Sequence, residues 1–186
     1  TYRDKASALS HTQEIPQVSL PAGAHFTFED TGEDVSGNGN PAMLKGDATY
    51  ATGRTGRGLR LAGNATADHV QLSPKLGDSS DFTFGAWVLW NGGANWQRIF
   101  DLGLDTTHYL FLTPSSSAGT LRFGIRDGGS DQQLNHTGPL PTGTWTHVAV
   151  TIAGNTGKLF VNGSLVATNS AMSINPADVG TKWNWL

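Results

Sequence analysis

The feature that most constrains this chain is a series of short runs in which apolar and polar residues alternate, each closed by glycine or proline. The run DFTFGAWVLW places Phe82, Phe84 and Val88 on one side, and a period of two residues indicates a β-strand. In KLFVNGSLVA, two such runs are joined by Asn162 and Gly163, the pair favoured in a type I′ hairpin turn. No stretch keeps a helical period for long, so the pattern excludes helical and doubly wound folds.

Runs of this kind follow one another from residue 25 to the end of the chain. Further examples are HFTFED, RGLRLAG, DHVQLS, RIFDLG, HYLFLTP, TLRFGIRDGG and TWTHVAVTIAG. About ten or more short strands separated by turns are typical of sandwiches, so we predict an all-β, antiparallel, two-sheet sandwich of the jelly-roll type. The one helical turn that we predict is NPADVG, with Asn175 as N-cap, Pro176 at the first position and Gly180 after the last.

Composition limits the classes of function. The 186 residues are enough for one domain with a sizeable core, and the lack of cysteine excludes disulfides, thiol nucleophiles and Cys-based metal clusters. The formal net charge is −3 and the basic residues are scattered, so we expect neither nucleic acid nor a membrane as a partner. Residues 1–24 are polar and lack sustained periodicity. We interpret residues 1–24 as a tail or linker and residues 25–186 as the domain.

Taken in order, the runs resemble the laminin-G-like (concanavalin A-like) jelly roll, and most closely its bacterial branch. The strings that support this resemblance span residues 25–186 and are HFTFED with DVSGNGN, GRTGRGLRL, DFTFGAWV, RIFDLG, YLFLTP, LRFGI, LPTGTWTHVAVT, KLFVNG and NPADVG. The resemblance implies a non-catalytic accessory module of a secreted bacterial polysaccharide-degrading enzyme, similar to modules of arabinofuranosidase-type glycoside hydrolases. Its implied role is to bind a polysaccharide or oligosaccharide, or to pack beside the catalytic domain.

Two other functions stay open at this point: a structural or adhesive module that binds a protein partner, and a glycosidase domain. Glycoside hydrolysis needs two carboxyl groups held across a cleft. The sequence lacks the Glu-x-Asp-x-x-Glu strand motif of glycosidases with this fold, and all three glutamates lie near its N-terminus. The remaining candidate acids are Asp101, Asp127 and Asp131, which we interpret as surface residues. We therefore expect no catalytic site in this chain.

The C-terminal run TKWNWL reads as a buried strand. Members of the family that this chain resembles continue beyond it with a turn and a last strand, which pairs with the first strand, here HFTFED. We expect that strand to come from a second fragment of the same precursor or from another part of a split chain. The alternative is that the segment QVSL near the N-terminus takes its place.

The loop FEDTGEDVSGNGN concentrates acidic and amide side chains. Calcium binds six to eight oxygen ligands of these types, and related jelly rolls often hold a structural calcium ion at this place. The ligands that we expect are Glu29, Asp34, Asn38 and Asn40. The alternative is a turn in which Asp and Asn side chains bind their own backbone.

Aromatic side chains are the plausible sugar-binding groups, because the apolar C–H faces of sugars lie on aromatic rings. The aromatic residues that we predict to act as platforms are Trp90, Trp183 and Tyr109. The polar residues that we predict to bind hydroxyls beside them are Arg98, Arg122, Arg126 and Gln132. Other tryptophans match family strings and are expected to pack: Trp87, Trp96, Trp145 and Trp185. A flat apolar patch could equally dock onto a neighbouring domain.

Overall fold

The computed structural model describes residues 23–63 and 68–186. Its strands are β1 (Met43–Lys45), β2 (Thr49–Thr52), β3 (Arg57–Arg60), β4 (His69–Gln71), β5 (Phe82–Val88), β6 (Phe100–Gly103), β7 (His108–Thr113), β8 (Arg122–Asp127), β9 (Gln132–Asn135), β10 (Thr146–Ala153), β11 (Thr156–Val161), β12 (Ser164–Asn169) and β13 (Trp183–Trp185). A 3-10 turn spans Pro74–Gly77 and a short helix, α1, spans Pro176–Val179. None of the helices in the described ranges is long and apolar enough to cross a membrane.

Two sheets form the sandwich. The larger has the strand order β1-β4-β13-β6-β7-β8-β9, the smaller has the order β12-β11-β10-β5, and β2 and β3 form a separate hairpin. Neighbouring strands in all three are antiparallel. This confirms the prediction of an all-β antiparallel jelly-roll sandwich.

The core lies between the two sheets and is built from alternate residues of each strand. Val148, Val150 and Ile152 of β10 are fully buried, while the residues between them are not. The Phe84 ring of the smaller sheet lies 4.5 Å from the Phe100 ring of the larger one. Burial of each such side chain contributes about 1.5–3 kcal/mol. Alternation leaves the other half of each strand on the outer surface, where the candidate site lies.

Two local predictions are confirmed. Asn162 and Gly163 join β11 to β12 with φ angles of 49° and 80°, as a type I′ turn requires. Helix α1 begins after Asn175, whose side-chain oxygen accepts a hydrogen bond from the Ala177 amide at 3.2 Å, and it ends at Gly180. Both signals act within a few residues, so they can be predicted without knowing the tertiary structure.

The first predicted strand, HFTFED, is wrong. Phe28 and Asp30 have φ angles of 53° and 56°, which no extended strand allows, and the segment keeps one isolated bridge between Phe26 and Asp34. The Phe26 and Phe28 rings still stack, with centroids 5.5 Å apart, and pack against the core. The alternative segment QVSL lies outside the described residues. In the described part of the chain β5 pairs with β10 alone, and a further closing strand stays a prediction.

The C-terminal strand β13 lies inside the larger sheet, between β4 and β6. Its central residue, Asn184, is buried, and its amide nitrogen donates to the Ser73 carbonyl at 3.0 Å. Trp183 and Trp185 flank it in sequence and therefore point to the opposite side of the sheet. Both tryptophans thus lie on the outer surface of the larger sheet.

Candidate functional site

The outer face of the larger sheet brings distant aromatic and polar residues together. Residues directly opposite one another on neighbouring strands share a face, so the strand register defines rows across the sheet. One row, from β13 to β8, consists of Trp185, Asp101, Phe111 and Gly124. The next row consists of Trp183, Gly103, Tyr109 and Arg126.

Strand β6 forms the lowest part of this face, because its outward residues are Asp101 and Gly103. A side chain at Gly103 is excluded: its φ is 148°, and a Cβ there would collide with the backbone carbonyl of His108. The neighbouring strands β13 and β7 are separated by two strand spacings, or about 10 Å. The result is a groove along β6 with short residues on its floor, which we call the β6 groove.

Aromatic residues form both walls of the β6 groove. On β13, the Trp183 and Trp185 rings stack with centroids 5.8 Å apart and planes inclined by 25°. On β7, Tyr109 forms the opposite wall, and its ring lies 5.6 Å from the ring of the buried Phe111. Apolar surfaces therefore face each other across a polar floor, as in sites that bind ligands with both apolar faces and hydroxyl groups.

Phe111 is only 3% exposed because its ring is covered by its neighbours. The ring lies against Gly124, where an added Cβ would be 2.8 Å from Phe111 Cε1. The Arg98 guanidinium lies over the ring at 4.2 Å from its centroid, and the Trp96 ring meets it edge-on at 6.2 Å. Phe111 thus serves as the base on which Arg98 and Trp96 rest.

Arg98 and Asp101 form an ion pair on the floor of the groove. Arg98 Nε donates to Asp101 Oδ2 at 3.0 Å, and Arg98 Nη1 donates to the Trp96 carbonyl at 2.9 Å. The two side chains are 33% and 32% exposed. Burial raises the pKa of the Asp101 carboxyl, and the nearby Arg98 opposes this rise. Among the described residues, Asp101 Oδ1 and Arg98 Nη2 have no hydrogen-bond partner.

Trp96 combines exposure with an unusual backbone conformation. Its side chain is 39% exposed and its φ is 70°, a region that bulky residues rarely adopt. Its amide donates to the Ser115 carbonyl at 2.8 Å, and the Arg122 guanidinium lies 5.5 Å from its ring centroid. Backbone strain of this kind concentrates at functional sites, so Trp96 is a candidate binding residue.

Five of the predicted ligand-binding residues lie at or beside the groove: Trp183, Tyr109, Arg98, Arg122 and Arg126. Tyr109 Oη donates to Asp131 at 2.9 Å, and burial is the main cause that raises the pKa of Tyr109. Arg122 Nε donates to Asn135 Oδ1 at 2.6 Å. In the described part of the chain, Arg126 Nε is buried without a hydrogen-bond partner.

The other two predicted ligand-binding residues lie elsewhere. Trp90 packs against the core, and its indole nitrogen donates to Gln97 Oε1 at 2.9 Å beside a pocket of about 190 Å³. Gln132 Oε1 accepts hydrogen bonds from the amides of Ser173 and Ile174 at 2.9 and 3.1 Å. Its Nε2 donates to Ser173 Oγ at 2.7 Å. Gln132 therefore attaches β9 to the segment that precedes α1.

Sequence reasoning missed part of the groove. Trp96 and Trp185 were expected to pack, but they are 39% and 36% exposed. For Trp185 the sequence contained a usable signal. Trp183 and Trp185 are two residues apart, so they share a face of any strand, and a binding role for one indicates the same face for the other. Trp87 was also expected to pack and is 45% exposed, on the outer face of the smaller sheet, where Arg54 lies 3.7 Å over its ring. These three tryptophans make packing contacts, as predicted, but each also keeps an exposed part that was not predicted.

The predicted metal-binding loop is organised around Asp34, which is 8% exposed. Its Oδ1 accepts hydrogen bonds from the amides of His25 and Ser36, and its Oδ2 accepts one from the Asn40 amide, at 2.9–3.0 Å. Burial by itself would raise the pKa of Asp34, but a hydrogen bond from the Ser36 side chain and these three backbone hydrogen bonds outweigh it and hold the pKa well below its usual range. Asp34 is therefore a charged anchor for the surrounding backbone.

Two further predicted ligands converge on one carbonyl. Asn38 Nδ2 and Asn40 Nδ2 each donate to the Gly23 carbonyl at 3.1 Å. If both side-chain amides were flipped by a half-turn, their oxygens would lie beside that carbonyl oxygen. Oxygen ligands of these types suit calcium. Glu29 lies apart, because both its oxygens accept hydrogen bonds from the Arg57 amide at 3.0–3.1 Å. Within the described ranges, no group of three or more His, Cys, Asp or Glu residues is arranged to hold a metal ion.

Residues 64–186 match the family model described as the concanavalin A-like lectin/glucanases superfamily, and no curated protein matches the chain. Domain 4 of AbnA, a GH43 extracellular arabinanase from Geobacillus stearothermophilus solved in complex with arabinotriose, is 21% identical, with a TM-score of 0.74 over 87% of this chain and 80% of that one.

Two further solved structures are similar. An S-layer domain-containing protein from Clostridium thermocellum is 30% identical, with a TM-score of 0.54 over 82% of this chain and 74% of that one. The enzymatically active domain of tailspike protein 2 from bacteriophage CBA120 is 16% identical, with a TM-score of 0.54 over 91% of this chain and 26% of that one. At 16% and 21% identity, the likenesses to the tailspike and the arabinanase domain show a shared fold alone.

Proposed function

Because the chain belongs to the concanavalin A-like lectin/glucanase superfamily, we propose that it is a carbohydrate-binding accessory module and that the β6 groove is its binding site. The main support is the groove itself, with two aromatic walls about 10 Å apart and an Arg–Asp pair on its floor. The similar arabinanase domain was solved in complex with arabinotriose. A shared fold alone does not define a function, so the proposal depends on the groove.

The walls and the floor bind different parts of a sugar. The C–H face of a sugar ring lies on the stacked Trp183 and Trp185 or on Tyr109, where burial of apolar surface is favourable. The hydroxyl groups at the ring edge then face Arg98 and Asp101, which offer charged donors and acceptors. Truncation of one such aromatic anchor costs about 1–2 kcal/mol of binding free energy or more.

Binding without hydrolysis is the better interpretation of this groove. Asp101 is the one carboxylate among the outward residues of β13, β6 and β7 in the described chain, and Asp131, which lies beside the groove, accepts the hydrogen bond of Tyr109 Oη. Both stereochemical routes of glycoside hydrolysis use a pair of carboxyl groups on either side of the scissile bond. We therefore propose that the chain holds a glycan and that any hydrolysis occurs on another domain.

The parent protein that we propose is a secreted bacterial polysaccharide-degrading glycoside hydrolase. The partners are a polysaccharide or oligosaccharide in the groove and a catalytic domain of the same precursor. The similarity to a domain of an extracellular arabinanase and to an S-layer domain-containing protein supports an extracellular location.

Affinity electrophoresis tests the proposal. The chain is run through gels that contain arabinan, xylan or arabinogalactan, and we expect retardation in at least one of them. Trp183→Ala should abolish the retardation. Trp87→Ala, which removes an exposed tryptophan from the other sheet, should leave it unchanged. If no glycan retards the chain, or if both variants behave alike, the proposal is wrong.

We also propose that the loop around Asp34 holds a structural calcium ion. The residues that would hold it are Asp34, Asn38 and Asn40 with the Gly23 carbonyl, and Glu29 would join them only by releasing the Arg57 amide. A bound cation would replace hydrogen bonds in fixing this loop. Calcium should then raise the melting temperature and EDTA should lower it. An unchanged melting temperature in EDTA would show that the loop needs no metal.

A further inference from the structure

The Arg98–Asp101 pair on the groove floor can offer a ligand both a hydrogen-bond donor and a hydrogen-bond acceptor, which suits the binding of hydroxyl groups. We infer that it recognises a vicinal diol, so that the groove selects glycans whose sugars keep two adjacent free hydroxyls. This inference rests on the proposed carbohydrate-binding function and specifies the ligand of the same site.

Arg98 is held in place before any ligand binds. Its Nε bonds to Asp101 at 3.0 Å and its Nη1 to the Trp96 carbonyl at 2.9 Å. One face of its guanidinium lies 4.2 Å from the centre of the Phe111 ring. These three contacts fix the whole planar group, so binding a ligand costs little of the rotational freedom that a long side chain usually loses.

The Nε–Oδ2 hydrogen bond brings the unused atoms of the pair near each other. In the arginine fork, Nη2 and the Nε–H share the edge that faces the carboxylate. Asp101 therefore presents its free Oδ1, an acceptor, next to the free Nη2 of Arg98, a donor. One hydroxyl oxygen can accept from Nη2 while the hydroxyl on the adjacent carbon donates to Oδ1. A single hydroxyl could bind both atoms only by acting as donor and acceptor at once, whereas a vicinal diol places a separate oxygen at each atom.

The aromatic walls orient the sugar for this contact. A ring that stacks on Trp183 or Tyr109 stands with its plane along the wall, so its hydroxyl-bearing edge points toward β6. The edge then meets Arg98 and Asp101, whose side chains are each about one-third exposed. Hydrogen bonds to charged groups are the stronger kind, and losing one should weaken binding about 10- to 100-fold.

Glycan linkage decides which polymers satisfy this requirement. A 1,5-linked arabinofuranose chain and a 1,4-linked pyranose chain both keep free hydroxyls on carbons 2 and 3. A 1,3-linked glucan does not, because its linkage occupies carbon 3. The groove should therefore accept the first two types and reject the third.

The test measures affinity of the complete chain for three polymers by titration calorimetry. They are linear 1,5-arabinan, the same arabinan with its 2- and 3-hydroxyls methylated, which keeps the sugar ring intact, and a 1,3-linked β-glucan. We expect binding to the intact arabinan and at least tenfold weaker binding to the other two. Equal binding to intact and methylated arabinan would overturn the inference while leaving the proposed function in place. Binding to no glycan would overturn both.

A variant pair locates the effect. Asp101→Asn should weaken binding to intact arabinan at least tenfold and leave the weak binding to methylated arabinan unchanged. The matched control is Asp30→Asn, because Asp30 accepts a hydrogen bond from Arg57 Nε at 2.9 Å in an ion pair outside the groove. The Asp30→Asn variant should bind arabinan like the wild type. If Asp101→Asn lost the same factor of affinity for both polymers, the inference would be contradicted. If this variant fails to fold, the comparison of the polymers with the wild-type chain still tests the inference.

Discussion

Replacing Gly124 with alanine should disturb the groove through Phe111. The new methyl group would lie 2.8 and 2.9 Å from two carbons of the Phe111 ring, whereas carbon atoms pack best at about 3.5–4.0 Å. The ring must therefore move by about 0.7–1 Å. It cannot move without displacing Arg98, which lies over it, or Trp96, which meets its edge.

The expected cost follows from two opposing effects. Adding a methyl group to a filled site typically costs about 1–3 kcal/mol, while replacing glycine in an extended backbone recovers about 0.4–1 kcal/mol through the unfolded state. The net loss of unfolding free energy is about 1–2 kcal/mol. For a chain of this size it corresponds to a fall in melting temperature of roughly 3–6 °C.

Scanning calorimetry with a matched glycine variant provides the assay. Gly85 lies in the middle of β5, and the nearest atom to a Cβ there is 3.8 Å away. Gly85→Ala should therefore unfold at the wild-type temperature or slightly above it and should bind glycans normally. Gly124→Ala should melt earlier and bind more weakly. If the two variants melt and bind alike, Phe111 does not support the groove as described.

Three further predictions follow from particular contacts. Gly163→Ala should lose about 1 kcal/mol of unfolding free energy in urea denaturation, because the φ of Gly163 in the hairpin turn is 80°. The control is Gly138→Ala, because Gly138 has no positive φ. An equal or smaller loss for Gly163→Ala than for Gly138→Ala would refute this prediction. Asp34→Ala should cost about 1–3 kcal/mol, because three backbone amides lose their acceptor; an unchanged denaturation midpoint would argue against it. Glycan affinity should fall as the pH drops, because the protonated Asp101 carboxyl loses its ion pair with Arg98. The fall should start above the ordinary aspartate pKa of about 3.9, because burial raises the pKa of Asp101. Asp101→Asn should lack this pH dependence, and an identical profile in both proteins would exclude Asp101 as its cause.

The sandwich could be predicted because its determinants are local and repeated. Val148, Val150 and Ile152 alternate with outward residues along β10, and that spacing alone indicates which face is buried. The turn at Asn162 and Gly163 likewise depends on the backbone preferences of two residues. Neither requires knowledge of which strands become neighbours.

The segment HFTFED shows where local patterns fail. Its alternation is that of a strand, and Phe26 and Phe28 do share a side. The backbone nevertheless turns at Phe28 and Asp30, and the Asp34 carboxylate binds the His25 amide. A contact between residues nine positions apart thus competes with the strand, and apolar alternation does not reveal it.

The groove could be predicted only in part, because it depends on strand order. Trp183 and Tyr109 were found as aromatic residues that no packing role explained. Asp101 and Trp185 were missed because β13 pairs with β6, and local sequence does not indicate which distant strand the last one will join. Trp96 was missed because its exposure arises from a strained backbone that its residue type does not favour.

The central claim, that glycans bind in the β6 groove, is tested most directly by the indole N–H signals of the six tryptophans in a ¹H–¹⁵N spectrum. Each signal can be assigned by a single Trp→Phe replacement, and linear arabinan fragments are then titrated into the wild-type chain. We expect Trp183, Trp185 and Trp96 to shift with ligand concentration while Trp87, Trp90 and Trp145 stay in place. Shifts confined to Trp87 or Trp90, with the groove signals unchanged, would contradict the claim.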